Sequence, residues 1–153
     1  MPALSGVYQL VTNMNLRASF SQTVARPTYR EIAPYRSYDP YGNEIIEGNP
    51  NLTMTDISNY DVRWEYYPNP GTVFSVSGFY KHLTAPIEKV AKTFGGGVVT
   101  FENRDEATLY GMELEANSKL SFVDDALEEF LVGFNFAYIL SEVALTPTEL
   151  RNK

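Results

Sequence analysis

The sequence predicts an all-β chain, an antiparallel up-and-down meander of about six strands, and three observations carry that expectation. Apolar and polar residues alternate with a period of two in one run after another. Aromatic side chains make up 14% of the chain, with 11 Tyr and 9 Phe, and rings pack well on a pleated surface. Turn-forming residues separate the runs.

A short, weaker strand is predicted at about Ser5 to Val11, closed by the brief link Thr12-Asn13. From Met14 to Gln22, Met14, Leu16, Ala18 and Phe20 alternate with Asn15, Arg17, Ser19 and Ser21, the pattern of a strand with one wet face. A long connection follows, from about Ala25 to Asp56. The clearest run is Asn59 to Tyr67, where Tyr60, Val62, Trp64 and Tyr66 alternate with Asp61, Arg63 and Glu65. Pro68-Asn69-Pro70-Gly71 supplies a tight turn, through fixed φ at proline and permissive glycine. From Thr72 the alternation resumes, with Phe74, Val76 and Tyr80 opposite Ser75, Ser77 and Lys81, so the two runs read as a hairpin.

The stretch from Leu83 to Ala107 is again long, with a flexible Gly95-Gly96-Gly97 tip and a small hairpin through Ile87 to Val90 and Val98 to Phe101. From Leu109 to Ser118, Tyr110, Met112, Leu114 and Ala116 oppose Gly111, Glu113, Glu115 and Asn117. An intermediate link near Leu120 to Glu129 has room for one helical turn at Asp124 to Glu129. The last run sets Phe130, Val132, Phe134, Phe136 and Tyr138 against Gly133, Asn135 and Ala137. Thr146-Pro147-Thr148-Glu149 has the form of a helix start, with Thr146 as N-cap and Pro147 at the first helical position. No repeat or linker divides the chain, so residues 1–153 are read as one domain or a piece of one, with long loops at about 25–56 and 83–107. If consecutive strands are antiparallel neighbours, both long loops leave one end of the sheet.

Composition excludes several classes. A net charge of −7 with 12 scattered basic residues does not suit nucleic acid, whose phosphates call for a clustered Lys/Arg surface. The absence of Cys removes disulfides, thiolate chemistry and Cys-ligated zinc. No stretch approaches 18 apolar residues, which rules out a transmembrane helix and leaves transmembrane strands open.

Three architectures would bury one face of such strands: a soluble sandwich, a small soluble barrel and a transmembrane barrel. The soluble forms, as a binding or adhesion module, would gather Trp64, Phe74, Phe134 and Phe136 in one dry core. The membrane barrel would turn Tyr60, Val62, Trp64, Phe74, Val76, Tyr110, Met112, Leu114, Phe134 and Phe136 to lipid. Its wet lumen would hold the mid-strand charges Arg17, Arg63, Glu65, Lys81, Glu113 and Glu115, which pair across strands. Tyr66-Tyr67, Phe79-Tyr80 and Tyr138 lie where an aromatic girdle would sit, and alternating long and short connections complete that pattern.

Specific strings then carry a family resemblance. Asn15-Leu16-Arg17-Ala18-Ser19-Phe20-Ser21-Gln22-Thr23-Val24-Ala25-Arg26-Pro27, followed by Tyr29-Arg30-Glu31-Ile32-Ala33-Pro34, resembles a barrel segment of TonB-dependent outer-membrane receptors. So do Gly48-Asn49-Pro50-Asn51-Leu52, Asn59-Tyr60-Asp61, Glu65-Tyr66-Tyr67, Phe79-Tyr80-Lys81, Pro86-Ile87-Glu88 and Tyr110-Gly111-Met112-Glu113-Leu114-Glu115. Their order and spacing run along nearly the whole chain. The resemblance implies a partial outer-membrane-type β-barrel of a Gram-negative bacterium, a segment of a ~22-strand barrel closed around a plug domain. It implies uptake of a scarce nutrient such as a metal chelate, vitamin, oligosaccharide or peptide. The implied partners are outer-membrane lipid, the rest of the barrel, the plug and a TonB-type energy-coupling protein. With neither plug nor coupling segment in these residues, the piece is expected to lack transport competence by itself.

Within the first long loop, Tyr29, Arg30, Tyr35, Arg36, Tyr38 and Tyr41 are candidate ligand contacts, because aromatic and Arg side chains offer large, orientable surfaces at low entropic cost. Their packing role against a barrel rim is the alternative. Glu113 and Glu115 lie about 7 Å apart on one strand face, a spacing compatible with glycoside hydrolysis. Without a cleft or substrate-positioning set they read as solvated charges, and the chain is not expected to be an enzyme. His82 with Glu88 makes a poor metal site for want of a second imidazole, so neither a metal nor a cofactor is expected.

Overall fold

The computed structural model describes residues 1–92, 97–120, 124, 127 and 129–143. Six long strands form one antiparallel sheet: β1 (Ala3–Val11), β2 (Met14–Ala25), β5 (Thr55–Tyr66), β6 (Val73–Thr84), β9 (Glu106–Lys119) and β10 (Leu131–Val143), in the order β1-β2-β5-β6-β9-β10. Each long strand therefore lies beside the next long strand in the chain, as the meander expectation requires. The ladder between β1 and β2 sets Leu4 opposite Phe20, Gly6 opposite Ala18 and Tyr8 opposite Leu16. Apolar residues thus meet apolar residues on one face, because the two-residue period fixes the face once the register is set.

The turn from β5 to β6 shows how sequence dictates the link. The Thr72 N–H donates to the Asn69 carbonyl at 3.0 Å, with Pro70 and Gly71 as the two central residues. Gly71 has φ of +84°, so the turn is of the second type, with proline first and a left-handed residue second. Both long connections depart from the opposite end of the sheet, at the ends of β2 and β6, and return at the starts of β5 and β9.

Four short strands account for much of those connections. β3 (Arg36–Asp39) and β4 (Glu44–Glu47) come from the first, and β7 (Ile87–Ala91) and β8 (Val98–Asn103) from the second. They form a second sheet in the order β3-β4-β8-β7, in which β4 and β8 run parallel with Ile45 beside Val98 and Ile46 beside Val99. The predicted hairpin through Ile87 to Val90 and Val98 to Phe101 is β7 and β8, with Val90 opposite Thr100.

The hairpin of β3 and β4 was not foreseen; it hides in a segment rich in charge and too short in each arm for periodicity to register. A four-residue helix, α1 (Tyr29–Ile32), was not foreseen either. Its signal lies in Thr28-x-x-Glu31, where the Glu31 carboxylate accepts the Thr28 N–H at 2.6 Å.

The chain divides into two compact units. The first comprises Met1–Gln22, Ser58–Lys81 and Leu109–Ser141, and the second Thr23–Ile57 and His82–Thr108 together with Glu142 and Val143. Among the described residues of the second unit, the buried hydrophobic side chains are Ile46, Val98 and Ala107, and the buried polar or charged ones are Thr55, Thr100 and Arg104. In the first, Phe74, Phe134 and Phe136 are exposed, and Trp64 is half-buried. The dry core that a sandwich would have made of these four rings does not form.

β1 is exposed along its whole length, and β10 along all but its last residue, because each has a neighbour on one side only. Phe79, grouped with Tyr80 by the sequence, falls on the polar face beside Lys81, whose Nζ stands 6.0 Å from its ring centre. A Cβ on Gly111 would come within 2.8 Å of that ring, so the missing side chain makes the room for Phe79. The turn expected at Asp124 to Glu129 falls largely, and the helix start at Thr146 wholly, outside the described residues; so do Gly95 and Gly96.

Candidate functional site

Two surfaces hold the residues singled out by sequence, one in each unit. On the polar face of the six-stranded sheet, the Arg17 Nε donates to Glu65 Oε2 at 2.7 Å. Arg63 uses three of its donors: Nε to Glu65 Oε1 at 2.9 Å, Nη1 to Ser77 Oγ at 3.2 Å and Nη2 to Glu115 Oε2 at 2.7 Å. Asn117 Nδ2 donates to Glu115 Oε1 at 2.8 Å and Ser75 Oγ to Oε2 at 3.3 Å.

Neighbouring strands lie about 5 Å apart, so β5 and β9 are separated by about 10 Å, within reach of an arginine only if the side chains between are short. Ser75 and Ser77 on β6 meet that condition. The result is a chain of alternating charge over four strands, in which Glu65 is 6% exposed yet receives two guanidinium groups.

Of the six charges expected on this face, Arg17, Arg63, Glu65 and Glu115 are thereby brought together. Lys81 stands over Phe79, and Glu113 is exposed. Glu115, fixed by three donors, is a structural anion and not half of a free carboxylate pair with Glu113.

The opposite face carries the ten residues assigned to the apolar side. Tyr60, Val62, Phe74, Val76, Met112, Phe134 and Phe136 are exposed, and Trp64, Tyr110 and Leu114 are half-buried. Rings gather toward two levels. Phe20, Tyr60 and Tyr80 follow one another across β2, β5 and β6 with centroids 5.0 and 6.2 Å apart. Tyr66 stacks on Trp64 at 6.2 Å. Tyr60 and Tyr66, like Tyr80 and Phe74, are six residues apart, about 20 Å along a strand.

In the second unit, Tyr29 and Tyr41 are almost wholly exposed, at 90% and 100%, and Tyr35 and Tyr38 are exposed as well. Tyr38 donates its hydroxyl to Asn43 Oδ1 at 2.8 Å. Arg30 pairs with Asp39 at 3.4 Å and Arg36 with Glu47 at 2.8 Å. The Asp39 carboxyl is held below the usual aspartate range, chiefly by the Tyr41 backbone N–H, with Arg30 adding to it. Hydrogen bonds from Lys92 and Arg36 likewise hold the Glu47 carboxyl below the usual glutamate range. Glu47 on β4 joins β3 to Lys92 just past β7, and Lys89 on β7 pairs with Glu44 on β4. Glu88 lies 4.0 Å from Arg104. Among the described residues no group of three or more His, Asp or Glu side chains is placed to hold a metal ion.

A family model described as TonB dependent receptor-like, β-barrel, matches residues 1–152. The chain belongs to the TonB-dependent receptor β-barrel family.

Solved structures of related form agree in fold. The siderophore receptor PirA from Pseudomonas aeruginosa superposes with a TM-score of 0.76 at 19% identity, over 93% of this chain and 28% of that one. A mutant of the ferric enterobactin receptor PfeA from the same organism, in complex with enterobactin, gives 0.68 at 20% identity over 91% and 22%. The FrpB iron transporter from Neisseria meningitidis gives 0.59 at 14% identity over 93% and 19%. The chain therefore spans little more than a quarter of PirA and about a fifth of the others. No curated protein sequence matched it.

Within this TonB-dependent receptor segment the sequence reading missed Asn49 and Asn103. Asn49 Nδ2 donates to the Phe101 carbonyl at 2.9 Å, and Asn103 bonds both Thr53 and Ala85. For Asn49 the only signal was the string Gly48-Asn49-Pro50-Asn51-Leu52, which carries no chemistry until its contacts are seen; for Asn103 there was none.

Proposed function

We propose that this chain forms part of the wall and outer loops of a Gram-negative outer-membrane receptor that takes up a scarce nutrient. Energy reaches it from a TonB-type partner through a plug domain elsewhere in the receptor. The observation that carries the reading is the division of one sheet into an exposed aromatic and aliphatic face and a face crossed by the Arg17–Glu65–Arg63–Glu115 chain. Such a sheet suits lipid on the first side and a wet lumen on the second, where paired charges offset one another.

Tyr60, Val62, Trp64, Phe74, Val76, Tyr110, Met112, Leu114, Phe134 and Phe136 then face lipid, and the two ring levels meet the membrane interfaces. Residues 1–153 make one barrel segment, completed by strands beyond both β1 and β10. The exposed Tyr29, Tyr35, Tyr38 and Tyr41, with Arg30 and Arg36 held in place by Asp39 and Glu47, make the ligand-contacting surface. Among nutrients, a ferric chelate is favoured by the siderophore and iron receptors whose fold this chain shares. The role is recognition and passage, without a catalytic step.

The test uses the receptor containing this chain, expressed in cells lacking other siderophore receptors and in parallel reconstituted into vesicles. Uptake of radiolabelled ferric enterobactin is expected to require both the receptor and the energy-coupling protein. Lipids brominated on the acyl chain should quench the part of the fluorescence that Trp64→Phe removes. Quenching of that part by aqueous iodide alone would overturn the assignment of faces.

A further inference from the structure

The parallel pairing of β4 with β8 ends after two residue pairs, because Gly48 turns the chain away toward α1. A Cβ at Gly48 would stand 2.1 Å from the Ala33 carbonyl oxygen, so only glycine passes there. Where the backbone ladder stops, side chains take over. Asn49, on the first long connection, donates through Nδ2 to the Phe101 carbonyl on the second, at 2.9 Å. Asn103, on the second, accepts the Thr53 N–H of the first at 2.8 Å and donates to the Thr53 carbonyl at 3.2 Å. Its Nδ2 also reaches the Ala85 carbonyl at 2.7 Å, which in turn accepts the Thr55 hydroxyl at 2.9 Å.

One amide from each connection thus bonds the backbone of the other. Only the asparagine side chain presents a donor and an acceptor at that length, and only one orientation of the Asn103 amide satisfies an N–H and two carbonyls together.

We infer that Asn49 and Asn103 are positioning residues, a reciprocal clasp that makes the two long connections one unit, so that a displacement of either is transmitted to the other. The backbone of Asn49 extends the clasp to the helix, since its N–H donates to the Glu31 carbonyl at 2.6 Å, at the last turn of α1 that also carries Tyr29 and Arg30. The consequence for ligand capture rests on the reading of Tyr29 and Arg30 as ligand contacts; the clasp itself does not.

The experiment is amide hydrogen exchange on the receptor containing this chain, without ligand, for Asn49→Ala, Asn103→Ala and Asn103→Asp. Asn49→Ala should accelerate exchange on the opposite connection, at Lys92 and Arg104. Asn103→Ala should do so at Gly48 and Asn49. Each change should be roughly tenfold, as expected for the loss of one or two net hydrogen bonds.

Asn103→Asp keeps the acceptor for the Thr53 N–H and loses the donor. It should be less protected than wild type at neutral pH, where the carboxylate faces the Thr53 and Ala85 carbonyls without a proton, and move back toward wild type, as a ratio at each pH, when acid protonates the new carboxyl. Unchanged protection of the long strands shows in each case that the sheet has folded. Acceleration confined to the connection bearing the substitution would overturn the clasp, as would an aspartate variant that never recovers. Should the clasp hold while Asn103→Ala binds ferric enterobactin as wild type does, the link to capture fails and the clasp stands.

Discussion

Arg63 on β5 bonds Glu115 on β9 at 2.7 Å, across the intervening strand β6. The contact exists because Ser77 and Ser75 stand between them, and Ser77 itself takes a hydrogen bond from the same guanidinium. Bulkier residues at either serine would separate the two ends of the charge chain, so Ser77→Leu should destabilise the sheet although it adds apolar surface. The expected loss is about 1–3 kcal/mol, read as a lower urea midpoint of the receptor in detergent. No change in the midpoint would show that the bridge contributes nothing.

Glu65 is the hinge of that chain. Removing it leaves Arg17 and Arg63 facing each other without the carboxylate between them, so Glu65→Ala is expected to cost about 2–4 kcal/mol. Glu113→Ala, at an exposed carboxylate on the same face, should cost under about 0.5 kcal/mol. Parallel unfolding curves of the two variants check the contrast.

Gly71 is held at a φ of +84°, and a Cβ there would also meet the Lys119 side chain at 2.9 Å. Because the lysine stem can swing aside, the backbone term governs, and Gly71→Ala should cost about 1–2 kcal/mol. Gly71→Asn should recover part of it, since asparagine tolerates the left-handed region better than alanine does. Unfolding midpoints of the two variants give the comparison.

At Gly48 the obstacle is the backbone oxygen of Ala33, which cannot swing aside. Gly48→Ala should therefore displace residues 29–35 from residues 47–49 and open the first long connection to protease. Mass spectrometry of the cleaved receptor should find new cuts between residues 25 and 56 and none within β5, β6 or β9.

Glu47 gives the four-stranded sheet a dependence on acid. Its carboxyl titrates below the usual glutamate range because Lys92 and Arg36 bond its charged form. A depressed folded value means stabilisation that is complete above the usual range and is lost as pH falls through the depressed value. Exchange protection of β3, β4 and β8 is thus expected to hold at neutral pH and weaken below about pH 4, and Glu47→Gln should flatten that part of the profile. The residual slope in the variant reports Asp39, which shifts in the same direction. An unchanged profile would remove Glu47 from the account.

The six long strands and their two faces were legible because one physical rule writes both. A pleated strand alternates its side chains, and Tyr60-Asp61-Val62-Arg63-Trp64-Glu65 spells that alternation without help from any other part of the chain. The turn at Asn69 to Thr72 was legible for the same reason, since proline and glycine fix their own backbone angles. The sequence by itself thus determined an antiparallel meander, which residues of a strand share a face and, given antiparallel neighbours, the end from which its long connections leave. Tertiary structure alone decided which charges meet. Arg63 and Glu115 are 52 residues apart, and they join only because β6 places two serines between their strands. The same holds for Asn49 and Asn103, whose amides have no pattern to announce them. Hydrogen-bond partners supplied by distant backbone leave no periodic trace in a sequence, whereas burial of alternate side chains does.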